Sequence, residues 1–286
     1  QSFVVRLCKL LGVAADRGAD SVIFTELVRS TFFPRYYAKD RTDMDHWFET
    51  AMPNPSVQPR CDLAKEKSIG FYLGFAELTP EGRHFNTSII VDKSGNQVGK
   101  YRKVHLPGHD EFDADRSFQH LEKRYFEPGD LGFNAWSTMG GVMGMCICND
   151  RRWPETFREL GLQGVELVML GYNTPSSNSQ KASETSDMRK FPNRLCLQAA
   201  DYQNSTFIAA CAKAGDEDGH HLYGESCIID PNGEILAIAK TEEDELVIAT
   251  IDLDDTRFGK ETVFDFARHR RPEHYGRIVS QAGVTL

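Results

Sequence analysis

The sequence GVMGMCICNDRRWPE, residues 141–155, changes from an apolar run to a cluster of charges immediately after Cys148. Its apolar part, 142–147, predicts a buried β-strand, and Pro154 with Glu155 is typical of a first helical turn. We therefore expect Cys148 in a strand-to-helix connection, where free backbone N–H groups and the helix dipole favour a thiolate and can bind an oxyanion. By position alone, the alternative that Cys148 is a small buried hydrophobic residue stays open.

The other cysteine of this stretch, Cys146, lies two residues earlier and is predicted to point to the same face of the strand. It is expected to be a core residue. A disulfide with Cys148 is disfavoured because same-face neighbours on an extended strand lie near the upper limit of a bridgeable distance. No further His or Cys pair has the spacing of a metal site, so no bound metal is expected.

Outside this stretch, the apolar pattern alternates between helical and strand periods. Predicted helices begin near residues 4, 57, 154 and 189. Predicted strands cover 21–24, 70–78, 85–92, 97–104, 133–138, 142–147, 166–171, 205–211, 225–230, 234–240 and 245–251. Because hairpins occur among alternating helices and strands, the pattern predicts a layered α/β fold with mixed sheets. A loop of about 25 residues after the fourth strand has a length that usually indicates function or disorder.

Charge and hydropathy exclude several classes of partner. The net charge of −9 argues against nucleic acid and anionic membranes, since both require a basic face. The one basic run, RHRR at 268–271, is expected in a solvated or packing arm. No stretch reaches the roughly 18 apolar residues that a membrane span needs.

The chain shows no Gly/Ser-rich or Pro-rich linker and no clear internal repeat, so we predict a single domain over 1–286 with a C-terminal arm at about 265–286. No signal peptide is visible. The seven cysteines are an odd number without a CxxC pair, which indicates free thiols in a cytoplasmic protein.

A thiol nucleophile needs a base and a donor for the developing oxyanion. FTEL, 24–27, places Glu26 just after the first short strand, and KYRKVHLPG, 100–108, places Lys103 at the end of another. Each residue alone has an ordinary structural explanation. Together with Cys148 they form a carboxylate, an ammonium and a thiol at the ends of three strands, which is a hypothesis for a catalytic site.

These three segments resemble the Glu–Lys–Cys triad of the nitrilase superfamily of carbon–nitrogen hydrolases. Within it, the chain is most similar to the amidohydrolases that act on N-carbamoyl-D-amino acids. The resemblance covers nearly all of the chain, and its supporting segments are TFFPR (31–35), FNTSIIVDKSG (85–95), HLPGH (105–109), FQHLEKRYFEPGDLGF (118–133), ICNDRRWPE (147–155), GYNTP (171–175) and RHRRPEHYG (268–276).

The resemblance implies a four-layer αββα sandwich. It also implies hydrolysis of N-carbamoyl-D-amino acids to the D-amino acid, ammonia and carbon dioxide through a carbamoyl thioester, without a cofactor, in a homodimer or homotetramer. The chain departs from the family in two places. No β-strand precedes Val4, so the family's first strand is expected to be absent from this sequence, and Cys146 stands where a plain apolar residue is more usual.

The resemblance also implies roles for individual residues. Glu26 would be the general base, Cys148 the nucleophile, and Lys103 the oxyanion ligand together with the backbone N–H of Asn149. Glu122, in HLEKRYF, would be a second acid that positions the substrate and the lysine. The residues expected to support or contact the substrate are His105, His120, Arg151, Arg152, Asn173 and Thr174. Adjacent guanidinium groups suit a substrate carboxylate, although Arg151 and Arg152 can instead pair with Asp150 or Glu155.

Several functions remain open from the sequence. The same triad can act on N-carbamoyl-β-alanine, on N-carbamoylputrescine or on a nitrile, and two arginines disfavour the cationic putrescine compound. A catalytically silent binding module with the same fold is the alternative of a different class. Intact Glu26, Lys103 and Cys148 argue against that module.

Overall fold

Two neighbouring strands at the centre of the molecule are buried on both faces, Gly70–Leu78 and His84–Val91. A strand covered on both sides is expected to be almost continuously apolar, as GFYLGFAEL is. The computed structural model describes residues 3–179, 181 and 183–285. All statements on structure below refer to these residues.

The first sheet has four strands in the order β1-β2-β3-β4, with β1 parallel to β2 and the others antiparallel. Helix α1 (Phe3–Asp16) precedes β1, and helix α2 (Gln58–Lys67) connects β1 to β2. The four strands are β1 (Ser21–Ile23), β2 (Gly70–Leu78), β3 (His84–Val91) and β4 (Gln97–Arg102).

The second sheet has six strands, in the order β12-β11-β8-β7-β6-β5, and its three central strands are parallel. Helices α4 (Pro154–Leu162) and α5 (Ser186–Asn204) make the crossovers between the parallel strands, and α3 (Glu122–Tyr125) is a single turn before β5. The strands are β5 (Ala135–Thr138), β6 (Gly141–Ile147), β7 (Leu167–Tyr172), β8 (Phe207–Ala212), β11 (Cys227–Ile229) and β12 (Ile235–Ile238). A separate antiparallel hairpin, β9 (Ala214–Glu217) with β10 (His220–Tyr223), lies between β8 and β11 along the chain.

The packing of β2 shows how the layers are stacked. Phe71 and Leu73 lie in a core cluster with residues of α1 and α2, whereas Tyr72, pointing to the opposite face, packs against the second sheet. The outer face of the second sheet is covered by Phe157 of α4 and Leu197 of α5. The order helix, sheet, sheet, helix confirms the predicted αββα sandwich.

The C-terminal part of the chain consists of short turns with little burial. It includes α6 (Asp255–Phe258), a π-helical turn at Gly259–Val263, α7 (Phe266–His269) and α8 (Gly276–Ser280). The described residues from 271 onward are all exposed. That exposure suits the arm predicted at about 265–286, while the single-domain organisation stays a prediction.

One predicted strand, 245–251, does not form. The segment is extended and half-buried, and it lines a cavity of about 400 Å³ together with β1 and residues of β8 and β11. None of its described N–H groups donates to a backbone carbonyl. An apolar pattern favours a strand, but a strand needs a partner within hydrogen-bond distance.

Candidate active site

The site is built at one edge of the sandwich, where several strands end. Glu26 follows β1, Lys103 follows β4, Cys148 follows β6 and Asn173 follows β7. Because β6 and β7 are parallel, their carboxyl ends meet at the same edge, which is where open α/β sheets place their functional loops. The structure thus brings together the strand-end residues that the sequence selected.

Lys103 is at the centre of a buried ion cluster. Its Nζ donates to Glu26 Oε1 at 2.8 Å and to Glu122 Oε2 at 2.6 Å, and all three side chains are fully buried. Burial favours neutral Lys103, but the charges of Cys148, Glu122 and Glu26 outweigh it and raise the pKa of the lysine. An ammonium has three N–H donors, so one remains after the two carboxylates are bound.

Glu122 is held ionised by the same cluster. Burial alone would raise its pKa, but Lys103 and then His120 hold the pKa of Glu122 below its ordinary value. His120 Nε2 lies 3.2 Å from Glu122 Oε1, and the His120 ring packs edge-on against Phe32. His120 therefore contacts Glu122, the residue for which the resemblance implies the role of second acid.

The carboxylate of Glu26 accepts two further hydrogen bonds. Asn86 Nδ2 donates to Oε1 at 2.8 Å and the backbone N–H of Asn173 donates to Oε2 at 3.1 Å. The amide oxygens of both asparagines are buried without a hydrogen-bond partner among the described residues. These oxygens are acceptors available to N–H groups of a ligand beside Glu26.

Cys148 starts a 3₁₀ turn, Cys148–Arg152, with a left-handed backbone at φ +48°. Such a conformation costs about 1–3 kcal/mol for a residue other than glycine and often occurs at functional sites. The Sγ atom lies 3.7 Å from the carbonyl oxygen of Asn173. The backbone N–H of Asn149 lies in the first turn of the 3₁₀ helix, where N–H groups lack intrahelical acceptors.

The expectation that the position of Cys148 favours a thiolate is wrong. Burial, followed by the charge of Glu26, raises the pKa of Cys148 to about 11, although Lys103 and Arg151 act in the opposite direction. Helix α4 begins six residues later, at Pro154, and the charge effect of a helix N-terminus is confined to its first turn. At neutral pH the thiol is protonated, so it needs a base.

Of the two arginines expected to support or contact the substrate, Arg151 is engaged by the protein itself. Arg151 is 2% exposed, and its guanidinium contacts five groups of the protein. These are Asn193 Oδ1 at 2.6 Å, the Cys148 oxygen at 2.6 Å, Cys148 Sγ at 3.8 Å, Thr174 Oγ1 at 3.0 Å and the Tyr223 hydroxyl at 3.4 Å. Since a guanidinium has five N–H donors, Arg151 has no donor left for a substrate. Its contacts hold the turn at Cys148 in place.

Arg152 differs from its neighbour. It is exposed, and no hydrogen bond or ion pair with another described residue engages its guanidinium. Enough protein surrounds it that partial burial, and then the charge of Arg151, lowers the pKa of Arg152. The charges of Cys148 and Arg189 also act on it. Arg152 is thus an available cation close to the thiol.

The remaining predicted contact residues lie around Cys148. Thr174 is buried and its hydroxyl accepts from Arg151, which leaves the hydroxyl proton free to donate. The side-chain amide of Asn149 donates to the carbonyl oxygen of His105 at 3.0 Å. His105 is half-buried, with its ring stacked on Trp153 at 4.8 Å.

Sequence reasoning missed several residues of the site. Asn86 belongs to the polar run Asn-Thr-Ser inside the doubly buried strand β3, and that run was a signal because buried polar groups need partners. Asp150 was considered only as an arginine partner. Asn193 and Tyr223 carried no local signal, because only tertiary packing brings α5 and β10 to the turn at Cys148.

Two searches of the described residues gave negative results. No group of three or more His, Cys, Asp or Glu side chains is arranged to hold a metal ion. No described helix has both the length and the apolarity needed to cross a membrane.

A two-sheet α/β sandwich with a thiol, an ammonium and two carboxylates at one sheet edge has the architecture of a thiol-dependent hydrolase. The chain belongs to the carbon–nitrogen hydrolase family, whose profile matches residues 1–261. It is a hydrolase of amide carbon–nitrogen bonds in the nitrilase superfamily, which confirms the resemblance found in the sequence.

Individual relatives agree with this assignment. N-carbamoylputrescine amidase of Oryza sativa subsp. japonica is 30% identical over 289 residues, which cover 96% of this chain and 88% of the relative. A carbon–nitrogen hydrolase from Helicobacter pylori G27 superposes with a TM-score of 0.84 at 23% identity, covering 98% and 94% of the two chains. A mutant amidase from Nesterenkonia sp. AN1, with an acetamide moiety covalently added at its active-site cysteine, has a TM-score of 0.69 at 19% identity, covering 94% and 88%.

Proposed function

We propose that this protein hydrolyses N-carbamoyl-D-amino acids to the D-amino acid, ammonia and carbon dioxide. The observation that carries the choice of an anionic substrate is Arg152, an unpaired guanidinium near Cys148. The preference for the D-enantiomer rests on the sequence resemblance. N-Carbamoylputrescine is the second candidate, because the rice relative is an N-carbamoylputrescine amidase, and its cationic chain would lie close to Arg152.

The first half of the reaction forms a carbamoyl thioester. Cys148 Sγ attacks the ureido carbonyl carbon while Glu26 accepts the thiol proton, as the raised pKa of Cys148 requires. The oxyanion receives the third N–H of Lys103 and the backbone N–H of Asn149. The intermediate then collapses: the bond from carbon to the substituted nitrogen breaks, Glu26 returns the proton to that nitrogen, and the amino acid leaves.

The second half restores the thiol. Glu26 removes a proton from water, the resulting hydroxide attacks the thioester carbon, and the same donors hold the oxyanion. The carbon–sulfur bond breaks, the sulfur regains the proton from Glu26, and carbamic acid leaves and decomposes to ammonia and carbon dioxide. Glu122 keeps Lys103 in place throughout, since its carboxylate binds Nζ at 2.6 Å.

The contacts proposed for the rest of the substrate follow from the groups left unpaired. The amide oxygens of Asn86 and Asn173 can accept the ureido N–H groups. Arg152 can bind the α-carboxylate, with Thr174 donating its hydroxyl proton to the same end. We also propose a cytoplasmic homo-oligomer, for which the seven free cysteines and the exposed C-terminal arm are the support.

The experiment compares wild type and Arg152→Ala on an N-carbamoyl-D-amino acid and on its primary amide, scored by the free amino group released. Loss of a charge-assisted contact to the carboxylate is expected to cost about 2–5 kcal/mol, or about 30- to several-thousand-fold in kcat/KM. The loss on the neutral amide is expected to be much smaller, because that substrate lacks the ion pair.

Two further measurements decide between the candidates. Arg257→Ala, which removes an exposed arginine of α6, is the matched control and should leave both substrates unaffected. N-Carbamoylputrescine, N-carbamoyl-β-alanine and the L-enantiomers are assayed in parallel. Equal losses in kcat/KM on the acid and on the amide would show that Arg152 does not bind the carboxylate. If the wild type prefers N-carbamoylputrescine, that compound becomes the proposed substrate.

A further inference from the structure

Asp150, two residues after the thiol, accepts four hydrogen bonds in a fully buried position. Its Oδ1 binds the backbone N–H of His105 and His105 Nδ1, both at 2.9 Å. Its Oδ2 binds the Tyr101 hydroxyl at 2.7 Å and the backbone N–H of Ile147 at 3.0 Å. Each oxygen thus accepts two hydrogen bonds, as an ionised carboxylate can. A protonated acid or an amide would instead direct a hydrogen atom toward one of these donors.

These four donors belong to two segments that carry the reacting groups. Tyr101 and His105 flank Lys103, whereas Ile147 directly precedes Cys148. One side chain therefore connects the segment that holds the ammonium to the turn that holds the thiol. The Tyr101 hydroxyl extends the connection, because it also accepts the backbone N–H of Val104 at 3.3 Å.

The left-handed backbone of Cys148 needs such a connection. Asp150 binds the N–H of the preceding residue in the manner of a capping box, and Arg151 binds the Cys148 carbonyl at 2.6 Å. Without these contacts, the turn would be free to relax toward commoner backbone angles and move Sγ. A displacement of about 1 Å at the reacting atoms can cost about 100-fold in rate.

We propose that Asp150 is a positioning residue for the reaction, which fixes Cys148 relative to Lys103 and holds His105 in its Nδ1–H tautomer. The inference rests on the proposed function for its kinetic part only. With Nδ1–H bound to Asp150, the Nε2 atom of His105 is left as an acceptor on a ring stacked between Trp153 and Phe133.

The first test is kinetic. Asp150→Asn is expected to lower kcat by about 100-fold per folded molecule with KM changed less than about threefold. Tyr101→Phe, which removes one hydroxyl donor and no backbone contact, is expected to lower kcat by only a few-fold and covers the case in which Asp150→Asn does not fold. The folded fraction is measured by near-ultraviolet circular dichroism. A kcat of Asp150→Asn within threefold of wild type per folded molecule would overturn the proposal, and where that variant does not fold, an unchanged kcat of Tyr101→Phe would do so.

The second test does not need turnover. Long-range proton–nitrogen spectra of ¹⁵N-histidine-labelled protein, recorded at mildly alkaline pH, should show His105 as the Nδ1–H tautomer. The same spectra of Asp150→Asn should show a loss of that preference, and those of Tyr101→Phe should retain it. Nε2–H in the wild type would contradict the inference, whereas Nδ1–H in an enzyme inactive on every N-carbamoyl compound would contradict only the proposed function.

Discussion

At the scale of single residues, the site is organised around a neutral thiol and a permanently charged lysine. Burial and then the charge of Glu26 raise the pKa of Cys148 to about 11, while for Lys103 the charge interactions with Cys148, Glu122 and Glu26 outweigh burial and raise its pKa. A cysteine with these surroundings is unreactive until a base removes its proton. The fully buried contact between Lys103 and Glu26 therefore places the proposed base and the proposed oxyanion donor in one cluster.

This arrangement predicts the pH dependence of alkylation by iodoacetamide, followed at Cys148 by mass spectrometry. The thiolate fraction, and with it the rate, should rise as pH approaches the pKa of about 11. Glu26→Gln removes a charge that raises this pKa, so its profile should shift to lower pH even though turnover falls. Cys148→Ala should remove the signal and Cys146→Ala should leave it unchanged. A wild-type midpoint near pH 7, or a shift to higher pH in Glu26→Gln, would disagree with the geometry.

At the scale of elements, two glycines let the strands approach the backbone at Glu26. A Cβ atom on Gly171 of β7 would lie 2.6 Å from the Glu26 nitrogen, and one on Gly74 of β2 would lie 3.0 Å from its Cα. Heavy atoms closer than about 3.5 Å repel, and neighbouring backbone cannot swing away as a side chain can. The segment that carries Glu26, the proposed general base, is therefore clamped between the two sheets.

Gly171→Ala is expected to displace Glu26 and to lose activity and stability together. We expect the free energy of unfolding to fall by about 1–3 kcal/mol, as for an overpacked core, and kcat/KM to fall at least about tenfold. Gly12→Ala is the matched control, because nothing lies within 4 Å of the added methyl group and the site is inside α1. It should be neutral or stabilise by about 0.5–1 kcal/mol. Urea unfolding and steady-state kinetics measure both, and an unaffected Gly171→Ala would refute the clamp.

At the scale of the whole molecule, the sandwich buries the site while the C-terminal arm remains outside it. Val279 and Val284 are about nine-tenths exposed, at 89% and 91%, and Ile278 is 59% exposed. Apolar residues exposed together suggest a surface for another chain. Arg158 of α4 lies over the Phe266 ring, 4.3 Å from its centroid, and so contacts the arm's first turn.

Removal of 265–286 tests the role of this arm. Because most of it is exposed, the free energy of unfolding per chain should change by only about 1 kcal/mol, chiefly from the lost cation–π contact. Light scattering should show the full chain as a dimer or tetramer and the shortened chain as a smaller species. A full chain that is monomeric at micromolar concentration, or a shortened chain of unchanged mass, would be the contrary result.

The sequence by itself determined the layered architecture and the chemical identity of the site. Strands β2 and β3 were predicted within a residue or two, because continuous apolar runs of that length have few alternatives to a doubly buried strand. Glu26, Lys103 and Cys148 were selected because each lies at or just after the end of a predicted strand, and because the three segments resemble a known triad. Local pattern and position along the chain carry this information.

Only the tertiary structure decided what each polar group does. Arg151 and Arg152 are adjacent and identical in type, yet the guanidinium of Arg151 makes five contacts with four residues and that of Arg152 makes none with the described part of the chain. The position of Cys148 suggested a thiolate, but its burial beside Glu26 gives the opposite result. Residues 245–251 read as a strand and found no partner. Hydrogen bonds, desolvation and strand pairing all depend on which distant segments are brought within a few ångströms, and a one-dimensional pattern does not contain those distances.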